Sequence, residues 1–163
     1  TVIGTLFGFL IYNWHPSKIF MGDTGSQFLG IFLAFCGIDS CWNIPVLEAN
    51  NLPIMHPLQN LVIVALVFVM PLTDTIIVVI NRLLKGNSPF IGGRDHTTHF
   101  MFFSGLTEKR IAIVFFLINA LGGLLAFLLV TQFSYSIEIC LAFATYPLLL
   151  FLFLLFLTRR PKK

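Results

Sequence analysis

The sequence has 163 residues, of which 57% are hydrophobic and only 10% are charged, with 19 Phe and a formal net charge of +3. This composition excludes an ordinary soluble domain and indicates an integral membrane protein. The basic residues are not interleaved with aromatic residues as in nucleic-acid-binding surfaces, so we expect no nucleic-acid partner. The three cysteines lack Cys-x-x-Cys spacing, which argues against a zinc site or a redox centre.

Five apolar segments predict an all-α fold, a polytopic transmembrane helical bundle that forms a single membrane domain over residues 1–163. Residues 1–12 are too few to cross a bilayer about 30 Å thick, which needs roughly 20 helical residues, so we expect a partial span that begins upstream. Four complete spans are predicted at about residues 26–42, 61–84, 111–131 and 137–157.

Prolines and polar residues interrupt this pattern. The prolines of residues 43–60 favour a loop over a continuous helix. Pro71 predicts a kink in the 61–84 span. Asp74 and Asn81 lie on one face of the same span, about 10 Å apart along the axis. Because polar side chains are costly in lipid, we expect this face not to meet lipid.

The charge distribution predicts the orientation. All ten Lys and Arg residues fall on one side if the connections at residues 13–26 and 86–110 share that side with the C-terminus. By the positive-inside rule this side is the cytoplasm. We therefore predict a multi-pass protein of the inner or plasma membrane, with both polar connections and the C-terminus in the cytoplasm.

The polar stretch from Asn13 to Ser26 lies between two strongly apolar segments. Asp23 is flanked by glycines, which predicts a tight turn whose carboxylate other groups can approach closely. Such a carboxylate suits a cation, because an acid at a membrane boundary normally has a partner or a function. A plain polar connector is the alternative. Ser26 or Thr24 is predicted to cap a helix that begins at Gln27.

The order of residues in this stretch resembles the Asn-x-x-Pro-x-x-x-Phe-Met-Gly-Asp-x-Gly-Ser signature of the polyprenyl-phosphate N-acetylhexosamine-1-phosphate transferases. The matching residues are Asn13, Pro16, Phe20, Met21, Gly22, Asp23, Gly25 and Ser26. The resemblance implies that Asp23 is a catalytic residue and a ligand of Mg²⁺, with Mn²⁺ as the alternative metal. Asn13 is expected to support the Asp23 turn, and Lys18 to attract anionic substrate or lipid.

A second polar cluster lies at residues 94–99, Arg-Asp-His-Thr-Thr-His. His96 and His99 could share one face of a short helix. They could bind a transition metal, donate to phosphate oxygens, or lie at a wet interface. Arg94 favours the phosphate interpretation, because guanidinium groups form bidentate hydrogen bonds with phosphate oxygens.

This cluster, with Ser88-Pro89-Phe90 before it and Gly105-Leu106-Thr107 after it, is similar to the cytoplasmic histidine-rich loop of the same family. Members often have an Asp-x-x-His-x-His-His-Arg pattern, from which this chain departs at Thr98 and Phe100. The resemblance implies that His96 and His99 are catalytic, orienting the substrate, and that Arg94 binds it.

The resemblance implies transfer of N-acetylhexosamine-1-phosphate from a UDP-N-acetylhexosamine to a polyprenyl phosphate, releasing UMP, for cell-surface polysaccharide or cell-wall synthesis. The expected partners are these two substrates and membrane lipid. Asp74 after Pro71 is similar to the surface-polysaccharide branch rather than to the peptidoglycan-precursor branch. The resemblance covers about the C-terminal half of a family member. The Asp-rich and Asn/Asp motifs of the other half do not occur here, so we expect this chain alone to be incomplete as an enzyme.

Two alternatives stay open. One is a non-enzymatic membrane transporter or scaffold, in which polar groups such as Asp74 and Asn81 line a path or fix helix packing. The almost wholly apolar last two spans argue against a path. The other is an inactive transferase fragment that keeps only the fold.

Overall fold

The computed structural model describes residues 1–43, 46–47, 53–54, 56–90 and 96–159. These residues are mainly helical, and the predicted all-α fold class is confirmed. The helices are α1 (Val2–Asn13), α2 (Gly22–Gly37), α3 (Pro57–Val67), α4 (Val69–Leu84), α5 (Thr97–Phe103), α6 (Glu108–Gln132) and α7 (Ile137–Arg159). A π-helical turn, Ile38–Trp42, continues from α2. Within the predicted loop, Val46–Leu47 (β1) pairs antiparallel with Pro53–Ile54 (β2).

The chain divides into two compact units, Thr1–Ile38 and Asp39–Lys163. The first unit contains α1 and α2, and the second contains α3 to α7. The hydropathy pattern, which predicts one membrane domain, does not mark this division. Asp23 therefore belongs to the first unit, and His96 and His99 belong to the second.

The core of the second unit lies where α3 packs against α6 and α7. Its buried residues are Val62, Ile63, Leu66, Ala126, Leu129 and Cys140. A second cluster joins α4 to α7 through Met70, Ile77 and Leu154. Many large apolar side chains on α6 and α7 point away from this core and are exposed. Such outward apolar faces are expected for helices surrounded by lipid, which is as apolar as the side chains themselves.

Among the described residues, α6 and α7 are each long and apolar enough to cross a membrane. They contain the predicted spans 111–131 and 137–157. The pair α3 and α4 forms a third candidate if the two helices count as one bent span. The predicted span 26–42 corresponds to α2, which has 16 residues, and the π-helical turn after it.

The predicted span 61–84 is two helices rather than one kinked helix. Its halves, α3 and α4, are bent by 86°. The junction is Phe68, with φ −103° and ψ 28°. Pro71 lies in the first turn of α4, and its ring is incompatible with a helical carbonyl four residues earlier, at Val67. The proline therefore accounts for the end of α3, but the bend lies at Phe68 and is a complete break.

Helix α6 packs closely against this break. A Cβ added to Gly122 would meet the backbone carbonyl oxygen of Leu66, and would lie 3.3 Å from Cγ1 of Val69. The Met70 backbone N–H, at the start of α4, lies 3.5 Å from Oδ1 of Asn119. A broken helix in a membrane needs such partners for its freed backbone groups. The break sets the direction of α4, which carries Asp74.

Candidate active site

In the first unit, Asn13 makes hydrogen bonds within the polar stretch between α1 and α2. Its Nδ2 donates to the carbonyl of Ile19 at 2.7 Å. The Ser17 hydroxyl donates to the Asn13 carbonyl at 2.8 Å, and the Lys18 backbone N–H donates to the Tyr12 carbonyl at 2.9 Å. These bonds fold the chain back on itself, so Asn13 ties together the segment that leads to α2. The Lys18 side chain is exposed.

Helix α2 begins at Gly22, so the predicted start at Gln27 is wrong. Gly22 has a φ of 68°, which glycine adopts without steric cost. Asp23 lies in the first turn of the helix, where the helix dipole favours an acid. The predicted cap by Ser26 or Thr24 is also wrong, because both residues lie inside the helix. The Ser26 hydroxyl donates to the Asp23 backbone carbonyl at 3.0 Å instead.

The Asp23 side chain is exposed. Within the part of the chain that the structure describes, no hydrogen bond reaches its carboxylate. The same residues contain no group of three or more His, Cys, Asp or Glu that could hold a metal ion. Mg²⁺ is commonly bound by one or two carboxylates together with substrate phosphates and water. A single open carboxylate fits that mode of binding and does not fit a closed protein cage.

In the second unit, Asp74 of α4 holds the start of α5. Its Oδ1 accepts the backbone N–H of Thr97 at 2.7 Å and the Thr97 hydroxyl at 2.5 Å. Its Oδ2 lies 2.8 Å from Nδ1 of His96. Thr97 is fully buried, whereas half of the His96 side chain is exposed. The aspartate therefore anchors α5 on one side and contacts an accessible imidazole on the other.

His99 lies inside α5 and lines an open cavity of about 620 Å³. The cavity is lined by residues of α5 and of the start of α6, which are Thr98, His99, Phe102, Phe103, Glu108, Ile111, Ala112 and Phe115. The wall is mainly apolar, with His99 and Glu108 as its ionisable groups. His96 is instead the N-cap residue of α5 and contacts Asp74. The two histidines therefore have different surroundings, His96 at Asp74 and His99 at the cavity.

Thr107 and Glu108 mark the start of α6. Thr107 is the N-cap residue and Glu108 lies in the first turn. The Thr107 side chain makes no capping hydrogen bond, and its backbone carbonyl accepts from Ile111 at 3.0 Å. Arg94, the predicted substrate-binding residue, and its neighbour Asp95 lie outside the described residues.

Sequence reasoning did not assign a site role to Asp74. The structure joins it to His96, which lies 22 residues later. The available signal was an acid within an apolar span, which is a functional hypothesis by default. Its partner could not be identified, because the contact depends on the break at Phe68 and on the placement of α5. The face of Asp74 and Asn81 contacts protein, in agreement with the expectation that it does not meet lipid, since Asn81 Nδ2 donates to the Thr158 hydroxyl at 3.2 Å and Asp74 contacts His96.

Comparison with known proteins agrees with the motif in the first unit. Residues 1–41 match the model of glycosyl transferase family 4, and this range includes the complete polar stretch and Asp23. This match places residues 1–41 in that family. No solved structure matches it.

Three curated relatives show what the chain is similar to. A probable undecaprenyl-phosphate N-acetylglucosaminyl 1-phosphate transferase of Bacillus subtilis is 33% identical over 128 residues, which are 78% of this chain and 33% of the relative. A phospho-N-acetylmuramoyl-pentapeptide-transferase of Levilactobacillus brevis is 35% identical over 125 residues, 75% of this chain and 33% of the relative. A decaprenyl-phosphate N-acetylglucosaminephosphotransferase of Mycobacterium tuberculosis is 28% identical over 114 residues, 70% of this chain and 28% of the relative.

The matched part of the chain thus spans about a third of the length of these relatives.

Proposed function

We propose that the natural protein containing this chain transfers N-acetylhexosamine-1-phosphate from a UDP-sugar to a polyprenyl phosphate, with release of UMP, for cell-wall or cell-surface polysaccharide synthesis. The observation that carries the proposal is Asp23, whose carboxylate is open in the first turn of α2 within the stretch that matches the family model. Three relatives are named for this type of reaction. They support the proposal for this chain by the similarity of their sequences.

Phosphoryl transfer depends mainly on positioning the reactants and on stabilising charge on the phosphate oxygens. Asp23 would hold Mg²⁺, or Mn²⁺ as the alternative. The metal would offset negative charge on the diphosphate oxygens. Arg94 would bind phosphate oxygens in a bidentate manner. His96 and His99 would orient the diphosphate or the sugar, and Lys18 would attract anionic substrate or lipid at the membrane surface.

The class of sugar on the donor is part of the proposal. Relatives named for N-acetylglucosamine and for N-acetylmuramoyl-pentapeptide match the chain at similar identity. Asp74 within the apolar α4 favours the N-acetylglucosamine branch, by the resemblance described above. UDP-N-acetylglucosamine is therefore the first donor to test, and the muramoyl-pentapeptide donor is the second.

The proposed site faces the cytoplasm, where nucleotide sugars are made. The support is the distribution of Lys and Arg, all ten of which fall on the side that carries both polar connections. The described residues of those connections include Lys18 after α1 and Lys85 at the end of α4. The protein would then be a multi-pass protein of the cell membrane with a cytoplasmic C-terminus.

The experiment is a transfer assay with the complete natural protein in lipid nanodiscs. UMP release is measured with UDP-N-acetylglucosamine and undecaprenyl phosphate, with and without Mg²⁺. We expect UMP release only when both substrates and the metal are present, together with a lipid-linked sugar product. A matched preparation of this chain alone is expected to release no UMP.

The proposal would be rejected if neither donor gave UMP release. The protein must in that case be shown to be folded, by size-exclusion chromatography and by thermal unfolding. That result would leave a transporter, a scaffold or an inactive transferase. Transport of a labelled polyprenyl-phosphate sugar across the bilayer would then identify the first of these.

A further inference from the structure

We infer that Asp74 is a positioning residue that fixes the protonation and orientation of His96, so that the imidazole presents Nε2, and no other polar atom, to a phosphate group. The inference rests in part on the proposed function, because a phosphate is the ligand expected there. Its central claim concerns two side chains of this chain and can be measured without turnover.

The first step is the state of the Asp74 carboxylate. Three donors or potential donors surround it, the Thr97 backbone N–H at 2.7 Å, the Thr97 hydroxyl at 2.5 Å and His96 Nδ1 at 2.8 Å. The Thr97 N–H can only donate, and the Thr97 hydroxyl donates to the same oxygen. An ionised carboxylate only accepts and has about four lone-pair positions. The surroundings therefore suit the ionised form, in which Oδ2 accepts a proton from the ring.

The second step is the tautomer of His96. A neutral imidazole carries one proton, and the nitrogen that lacks it can only accept. Because Oδ2 is an acceptor 2.8 Å from Nδ1, the proton lies on Nδ1. This leaves Nε2 as the nitrogen that can meet a ligand. An Asp that holds a histidine through Nδ1 is the arrangement known from serine proteases, where it sets both tautomer and orientation.

The third step is the direction in which the ring is accessible. The side chain of His96 is 50% exposed, whereas that of Asp74 is 21% exposed. The imidazole therefore lies at the open side of the pair, with Asp74 beneath it. Asp74 is itself held by Thr97, which is fully buried at the start of α5. Of the two side chains, His96 is therefore the more accessible to a ligand.

The chemical consequence is a specific role for His96. A neutral ring held in this way offers only a lone pair at Nε2, which repels a phosphate oxygen. A ring that meets phosphate must carry protons on both nitrogens, and Asp74 then balances its positive charge across the Nδ1–H bond. In that form His96 donates its Nε2–H to phosphate, while its Nδ1–H is held by Asp74.

The test compares Asp74→Asn with the wild type in the complete natural protein, labelled with ¹⁵N-histidine and held in nanodiscs. The His96 resonances are assigned by their loss in a His96→Gln variant. In alkaline buffer, where the ring is neutral, we expect the wild-type proton on Nδ1. In Asp74→Asn, the two Thr97 donors keep the amide oxygen on their side, so the amide nitrogen faces the ring and donates to Nδ1. The proton is then expected to move to Nε2.

The matched control is Thr158→Val in α7, which removes the hydroxyl that accepts a buried hydrogen bond from Asn81, about two turns along α4 from Asp74. It should lower stability without changing the His96 tautomer. The inference is rejected if the wild-type proton lies on Nε2, or if Asp74→Asn leaves it on Nδ1.

The second readout is catalysis. Asp74→Asn should lower kcat by about tenfold to a hundredfold, the usual effect of losing one hydrogen bond to a charged group, with a smaller change in KM for the UDP-sugar. An unchanged kcat alongside a changed tautomer would reject the positioning role. A wild-type protein that transfers no sugar phosphate would reject the proposed function, while the tautomer result would still decide the claim about Asp74 and His96.

Discussion

Two aspartates of this chain have opposite surroundings, and their surroundings suggest different roles. The Asp23 carboxylate is exposed, and no hydrogen bond from the described residues reaches it. The Asp74 carboxylate accepts two hydrogen bonds from Thr97 and contacts His96. An open carboxylate can enter the coordination sphere of a cation. A carboxylate surrounded by hydrogen-bond donors already uses its oxygens to accept from those donors. This contrast separates a candidate metal ligand from a positioning residue.

Asp23→Asn preserves the size of the side chain and removes the charge that a hard divalent cation prefers. We expect kcat of the complete protein to fall about a hundred- to a thousandfold, because losing one main electrostatic contact to the transition state typically costs about 3 to 4 kcal/mol. The measurement is the initial rate of UMP release against Mg²⁺ concentration.

The control for Asp23→Asn is Asp39→Asn, since Asp39 lies in the π-helical turn at the other end of the same run of helix. This control should keep wild-type turnover. Unchanged turnover and unchanged Mg²⁺ dependence in Asp23→Asn would exclude Asp23 as a metal ligand and leave it as a first-turn acid of α2.

His99 gives a second prediction for a single residue. It lines the cavity between α5 and the start of α6, whose wall is otherwise mainly apolar. Replacing His99 with Ala removes a hydrogen bond to a charged substrate, a loss of about 1.5 to 3 kcal/mol, or roughly a tenfold to a hundredfold decrease in kcat/KM. The measurement is kcat/KM for the UDP-sugar, with thermal unfolding as the check on folding.

Thr98→Ala changes a neighbouring polar residue of the same cavity and should have a smaller effect than His99→Ala. If a well-folded His99→Ala variant kept the wild-type kcat/KM, His99 would be an interfacial residue. A requirement for zinc in the wild-type assay would instead support the transition-metal alternative for the histidines.

Helix bounds could be predicted where the sequence is continuously apolar. They were harder to predict where glycine or proline interrupts the apolar pattern. The predicted spans at residues 111–131 and 137–157 lie within α6 and α7, because apolar runs bounded by polar residues leave few alternatives. The start of α2 was missed, because a Gly-Asp-Thr-Gly-Ser run is typical of a turn. In the structure, Gly22 provides the bend and Asp23 already belongs to the helix.

The break between α3 and α4 illustrates a second limit. Pro71 signals that a helix is disturbed, but it does not indicate whether the result is a kink or an 86° break. Whether a kink or a break forms depends on α6, because a break requires α6 to pack closely against the junction of α3 and α4. The sequence shows two adjacent glycines in α6 and does not show which of them faces α3.

Gly122 and Gly123 therefore provide a matched pair of substitutions. A Cβ at Gly122 would meet the Leu66 carbonyl and Val69, whereas nothing lies within 4 Å of a Cβ at Gly123. Overpacking typically costs about 1 to 3 kcal/mol, so Gly122→Ala should be destabilised by that amount. Gly123→Ala should be neutral or more stable by up to about 1 kcal/mol, from helix propensity.

The measurement is thermal or denaturant unfolding of the purified protein in detergent. Equal stability of the two variants would mean that α6 does not pack against the break through Gly122. A loss of stability in Gly123→Ala alone would mean that the opposite face of α6 makes that contact.

At the scale of the whole molecule, charge and hydropathy indicate orientation, but they do not indicate how the chain divides. The two compact units, residues 1–38 and 39–163, lie on either side of a point inside a continuous helical run. Composition does not change there. The ten Lys and Arg residues, by contrast, all fall on one predicted side of the membrane. Their distribution therefore predicts the side of every connection between spans.

The connections after α1 and α4 should therefore both face the cytoplasm. Ser17 and Asn87 lie in these connections, whereas Ser134 lies in the turn between α6 and α7, which should face outward. Single cysteines are introduced at these three positions, in a background in which Cys36, Cys41 and Cys140 are replaced by serine. In intact cells an impermeant maleimide should label Ser134→Cys and should leave Ser17→Cys and Asn87→Cys unlabelled. All three should react after the membrane is permeabilised, which shows that the sites are accessible.

Labelling of Ser17→Cys or Asn87→Cys from outside would reverse the orientation. The proposed site would then lie away from the cytoplasmic nucleotide sugars, and the proposed donor would be excluded.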